Sequence, residues 1–159
     1  MGLQNPSVLG KESRMATWRN WAGNQIAHPQ SIESPRDVNE LAALVAEASA
    51  RGLKVKAVGS GHSFTSAAVT DGRMVRLGNL SGISHVDRTK NQVTVGAGTL
   101  LSDLNPLLHA EGLALANLGD IAYQTVAGAI STSTHGTGKA LTGLAGQVVA
   151  MTLVDGNGE

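Results

Sequence analysis

Two short loops concentrate the residues that can hold an anion or form a covalent bond. In Gly59-Ser60-Gly61-His62-Ser63-Phe64 two glycines flank a serine, so main-chain N–H groups can converge on phosphate oxygens with no side chain in the way. The loop lacks the third glycine of the dinucleotide fingerprint and the lysine of a nucleotide-triphosphate loop. A plain tight turn fits these residues equally well. His62 is presented from that turn, where an imidazole can serve as nucleophile, as ligand or simply as a hydrogen-bonding surface group. The second loop, Thr132-Ser133-Thr134-His135-Gly136-Thr137-Gly138, adds hydroxyls, a histidine and two glycines of the same phosphate-compatible kind. Two such loops in one small domain point to one ligand clamped between them. Neither His62 nor His135 has a carboxylate or second histidine at metal-ligand spacing, so no metal site is expected. His28, His85 and His109 read as surface or packing residues, and no serine sits in a nucleophile elbow.

The elements that must position these loops are legible in part. Ser34-Pro35-Arg36-Asp37 leads into Val38, Leu41, Leu44, Val45 and Ala48, which predicts an amphipathic helix capped by Ser34, with proline at its first position and Gly52 closing it. Leu53 to Val58 alternates like a strand and runs straight into the first loop. Met74 to Leu77 is a second short strand, and Ile83 to Asp87 with Gln92 to Ala97 flank Arg88-Thr89-Lys90-Asn91 as a hairpin. Leu100, Leu101, Leu104, Leu107 and Leu108 carry helical spacing up to Gly112, with Pro106 either kinking the helix or delaying its start to after Asn105. Val126 to Ile130 is a short apolar segment before the second loop, and Val148 to Val154 reads as a last buried strand. Trp18 and Trp21 are expected to pack on the domain edge. Residues 1–15 lack apolar periodicity and read as a loose tail. The last residues, Asp155-Gly156-Asn157-Gly158-Glu159, have hairpin-turn chemistry with no returning strand, so truncation is expected.

Composition narrows the function classes. Twelve basic residues balance twelve acidic ones, so no long-range field gathers nucleic acid or anionic lipid, and an anion must be held by local geometry. The absence of cysteine excludes disulfides, thiolate metal sites and cysteine nucleophiles. Twenty glycines against one Phe and one Tyr imply many close backbone approaches. No run approaches the roughly 18 apolar residues of a membrane span, and the N-terminus lacks a secretory pattern, so a cytoplasmic location is expected.

Three stretches in order, Val58-Gly59-Ser60-Gly61-His62-Ser63-Phe64, Gly112-Leu113-Ala114-Leu115-Ala116-Asn117-Leu118-Gly119 and Val126 to Gly138, resemble the vanillyl-alcohol-oxidase-type flavoproteins. Among these they are most similar to the aldonolactone oxidoreductases, which act on L-gulono-, L-galactono- or D-arabinono-1,4-lactone, and next to the alditol oxidases. The resemblance covers about residues 16–159. It implies an α+β, two-subdomain FAD-binding domain of the PCMH type: an N-terminal helix-strand subdomain, a boundary near 77–83, and a mainly antiparallel sheet with helices. By the same resemblance Ala57, Val58, Gly59, Ser60, Gly61, His62 and Ser63 would wrap the pyrophosphate, and His62 would bond the flavin 8α-methyl. Thr125, Gly128, Thr132, Ser133, Thr134 and His135 match a second set of flavin contacts. Asp120 matches a position beside the flavin ring where relatives often carry serine. Gly119 matches a position where some dehydrogenases carry alanine, and the missing methyl favours oxygen as acceptor over a redox protein.

The implied reaction is hydride transfer from a lactone carbinol carbon to the flavin, with substrate-orienting residues in a C-terminal cap domain that this chain lacks. No catalytic residue is identifiable in the chain, and the fragment alone is expected to be inactive. An alditol such as xylitol or sorbitol as substrate, or a non-catalytic FAD-binding module, are the alternatives. A side chain at Gly59 or Gly61 is expected to block contact with the pyrophosphate.

Overall fold

A computed structural model describes residues 16–159; the expected tail at 1–15 lies outside the described residues. The stretch 16–33, for which the sequence predicts no element, forms three short strands. β1 (Trp18–Arg19) and β2 (Ile26–Ala27) pair antiparallel as a hairpin, and β3 (Ser31–Glu33) follows. Asn20 closes the hairpin through both its main-chain N–H, which donates to the Gln25 carbonyl, and its Oδ1, which accepts from the Gln25 N–H at 3.0 Å.

Helix α1 (Val38–Ala50) begins three residues later than the sequence predicts, with Asp37 rather than Ser34 as its cap. Asp37 Oδ1 accepts from the Glu40 N–H at 2.9 Å, and Glu40 reaches back to the Arg36 N–H at 2.7 Å. The displacement has a cause. Asn79 Nδ2 donates to the carbonyls of Ser34 and Pro35 at 3.1 and 3.3 Å, which holds that stretch as a loop. Gly52, with φ of 64°, ends the helix as expected.

β4 (Val55–Val58) and β5 (Arg73–Arg76) complete a parallel sheet in the order β3-β5-β4. Met74 on the central strand is fully buried against Trp18, Ala27 and Val58, with Ile32 and Val69 packed around them. Arg73 is buried as well, and its guanidinium donates twice to Glu47 of α1, at 3.0 and 2.8 Å, with Glu33 of β3 at 3.7 Å. The ion pair ties helix to sheet.

The second half begins with the predicted hairpin, β6 (Ile83–Asp87) and β7 (Gln92–Val95), whose turn is organised by Asp87 Oδ1 accepting from the N–H groups of Thr89 and Lys90. Helix α2 (Leu101–Ala110) contains Pro106, so the late start is excluded; the proline falls on the exposed face. Its Leu101, Leu104 and Leu108 form a second apolar cluster with Ala129 of helix α3 (Val126–Ser131) and Leu144. The antiparallel part of this second half of the α+β fold is thus the β6–β7 hairpin, and helices supply most of the buried residues around it.

Val148–Val154 is not the buried strand that its sequence predicts. No described strand pairs with it, and Val149, Met151 and Leu153 are 73%, 58% and 72% exposed. Alternating apolar residues make a strand only where a neighbour accepts their main-chain hydrogen bonds. No helix among the described residues is long and apolar enough to cross a membrane.

Candidate functional site

The first loop leaves the end of β4. Val58 turns its side chain into the apolar core, so only its backbone is available to a ligand, while Gly59 and Ser60 are exposed and Gly61, His62 and Ser63 half-buried. Among the described residues, the N–H groups of Ser60, Gly61, His62 and Ser63 donate to no protein acceptor. Such a run of free donors suits an anion. Gly59 faces Thr125 so closely that a methyl in its place would overlap the Thr125 hydroxyl.

Thr125 is fixed from two sides. It bridges Leu100 at the start of α2, and its Oγ1 caps α3 by accepting from the Gly128 N–H at 3.2 Å. A cavity of about 290 Å³ opens here, lined by Gly59, Ser60, Arg76, Leu100, Asp103 and Thr125. Arg76 and Asp103 carry no signal in the sequence; they reach the cavity only because β5 ends and α2 begins beside it.

The second loop continues from α3. Thr132 Oγ1 donates to the Gly128 carbonyl at 2.8 Å, Ser133 adopts a left-handed backbone with φ of 56°, and Thr134 shares a 2.9 Å bond with the Gln124 amide. His135 is exposed, and its Nδ1 donates to the Gly136 carbonyl at 2.8 Å, which leaves Nε2 free as an acceptor in the neutral ring. Gly119 lies over Thr134, with room for a methyl only 3.1 Å from Thr134 Cγ2. Asp120 beside it is exposed. Gln147, also unflagged, holds this edge: its amide accepts from the Ala116 N–H at 3.0 Å and donates to the Asn117 carbonyl at 2.9 Å.

The expected site residues therefore form two linked groups. Gly59 meets Thr125, whose hydroxyl also holds the Gly128 N–H, while Gly119 meets Thr134 and His135, and the peptide from Gly119 to Thr125 joins them. Two aromatic residues stand at the His62 end. The Trp21 ring stacks on the imidazole with centroids 5.2 Å apart and planes at 24°, and the Tyr123 ring lies 6.3 Å from it at 15°. Of the two tryptophans, Trp18 packs in the core; Trp21 is exposed and faces His62 instead of the domain edge.

An α+β frame with a run of free main-chain N–H groups on a glycine loop beside a cavity suits a phosphate-bearing ligand. Residues 29–159 match the FAD binding domain family, and the chain belongs to it. The matched residues include the Gly59–Ser60 wall of the cavity and the loop that carries the free N–H groups. Over 142 residues the chain is 43% identical to the L-gulono-1,4-lactone dehydrogenase of Mycobacterium tuberculosis, covering 89% of this chain and 33% of that one. It is 44% identical to the L-gulonolactone oxidase of Mus musculus (89% and 32% covered) and 39% identical to the D-arabinono-1,4-lactone oxidase of Eremothecium gossypii (92% and 28% covered). The chain spans about a third of the length of these relatives. In fold it is similar to the cholesterol oxidase of B. sterolicum, with a TM-score of 0.66 at 20% identity over 85% of this chain and 27% of that one.

Proposed function

We propose that this chain is the FAD-binding part of an oxidoreductase that takes a hydride from a CH–OH group of a sugar 1,4-lactone. The observation that carries the reading is the cavity where Gly59 and Ser60 meet Thr125, in a chain 43% identical to a lactone dehydrogenase. The proposed subdomain boundary near 77–83 falls between the two apolar clusters and beside that cavity. When bound, FAD supplies the two-electron acceptor that no side chain can provide.

The residues divide the work of holding it. Main-chain N–H groups of residues 59–63 face the pyrophosphate, with Ala57 and Val58 contributing backbone only. Thr125, Gly128 and the loop from Thr132 to His135 face the flavin, beside Gly119 and Asp120. His62 would hold the flavin through a bond from a ring nitrogen to the 8α-carbon, giving up its N–H proton, while the flavin, with dioxygen as terminal oxidant, would supply the two-electron acceptor that this bond requires. The absence of a methyl at Gly119, beside Thr134 and His135, is the feature on which dioxygen is proposed over a redox protein as the acceptor in turnover. The wall that orients the lactone is proposed to lie in a further domain.

The test is to denature the FAD-loaded protein and measure flavin that stays with the polypeptide, in wild type and His62→Ala. Retention in wild type and loss in the variant are expected. Complete release from wild type, or equal retention in both, overturns the covalent assignment. Anaerobic bleaching of the flavin by L-gulono-1,4-lactone in a protein that includes the further domain tests the substrate. Bleaching by xylitol alone would move the reading to the polyol oxidases.

A further inference from the structure

The geometry points to the β1–β2 hairpin as the positioning element for His62, with Trp21 setting the plane of its imidazole and Asn20 fixing the loop that carries it. The inference rests on the proposed covalent role of His62. Every residue of the hairpin precedes residue 29, where the family match begins.

Three carbonyls of the His62 loop, those of Gly61, Ser63 and Phe64, are claimed by the hairpin. The Trp21 N–H donates to the Gly61 carbonyl at 2.8 Å, Asn20 Nδ2 to the Ser63 carbonyl at 3.0 Å, and Asn24 Nδ2 and Gln25 Nε2 to the Phe64 carbonyl at 3.0 and 3.2 Å. In a trans peptide the C=O and the following N–H point in opposite directions. Tethering the Gly61 carbonyl to the hairpin therefore aims the His62 N–H away from it, as one of the free donors of the loop. Asn20 is only 5% exposed, and its other amide contacts are satisfied by Asn24 and Gln25, so its side chain is held ready by the hairpin itself.

The side chain is oriented separately. Trp21 stacks on the His62 ring and meets Phe64 edge-on at 6.4 Å and 86°. A loop histidine has two χ angles to fix, and a stacked indole restricts both. Trp21 is 68% exposed, so its ring is held by the loop and contributes little to the core. That exposure separates a positioning role from a folding role.

The experiment compares wild type, Trp21→Leu, Trp21→Phe and His62→Ala in the intact FAD-loaded protein. Covalent flavin is followed over time as fluorescence retained after denaturation, beside the total FAD bound and the Tm. Trp21→Leu should slow covalent incorporation roughly tenfold or more through misplacement of the nucleophile, with Tm and total bound FAD unchanged, and Trp21→Phe should restore most of the rate. Equal rates in wild type and Trp21→Leu overturn the inference. The NMR shifts of the His62 ring protons, recorded without FAD, give a second readout: they should lie upfield in wild type and relax toward ordinary values in Trp21→Leu. Unchanged ring shifts also overturn it. If wild type releases all its flavin, the covalent reading fails, while the ring shifts still decide whether Trp21 positions His62.

Discussion

At the scale of single residues, the two glycines of the first loop are required for different reasons. Gly59 has an ordinary backbone conformation but no space, because Thr125 Oγ1 occupies the position of a side chain. Gly59→Ala should cost roughly 1–3 kcal/mol by overpacking, and Thr125→Ala about 1 kcal/mol by loss of the α3 cap. Since one change removes the atom the other collides with, the double variant should be less destabilised than the sum, which urea titration of the four proteins would measure. Additive costs would show that the loops do not touch. Gly61 has space limited by Trp18 at 3.1 Å and a φ of 71°, so Gly61→Val strains the backbone as well as pressing on the β1–β2 hairpin. The sequence singles out His62 because it follows the Gly59-Ser60-Gly61 turn. The stacks of Trp21 and Tyr123 on His62 are not legible there, because no local pattern announces a contact between distant residues, just as the Asn20–Ser63 bond joins positions 43 apart.

Among elements, the join between α1 and β5 is electrostatic and carries a pH dependence. Hydrogen bonds from Arg73, and then from Arg51, hold the Glu47 carboxyl down at about 2 against an ordinary value of 4.5. A carboxylate whose pKa falls on folding adds stability above its unfolded value and loses it as the pH drops toward the folded one. Thermal midpoints should therefore fall as acid is added from about pH 4.5 to about pH 2, less steeply in Glu47→Gln, whose midpoint at pH 7 should already lie below that of wild type. Equal slopes in the two proteins would show that the pair is not coupled to folding. Glu47 is largely solvent-facing, so screening reduces the effect and salt should reduce it further. Helices and the β6–β7 hairpin are legible from spacing and turn residues because their bonds are local. The shift of the α1 cap from Ser34 to Asp37 is not, since it is imposed by Asn79 from across the fold, and Val148–Val154 misleads because alternation does not reveal whether a neighbour exists.

For the whole molecule, two apolar clusters flank one cavity, and the stability of each can be probed apart. Leu104, 2% exposed between Leu101 and Leu108, should cost about 2–5 kcal/mol when cut to alanine. Urea unfolding followed by Trp18 fluorescence would report whether the first cluster falls with the second. A midpoint for Trp18 unchanged from wild type, with helicity lost earlier, would mean that the halves unfold separately; coincident shifts would mean one cooperative unit. The arrangement β3-β5-β4 has a consequence for synthesis on the ribosome. Its middle strand is the last of the three in the chain, so β3 and β4 emerge as two unpaired edges with a gap between them that neither can close. Nascent chains that end before Arg73 should remain open to protease, and resistance should arrive in one step once Arg73–Arg76 clears the exit tunnel and threads the gap.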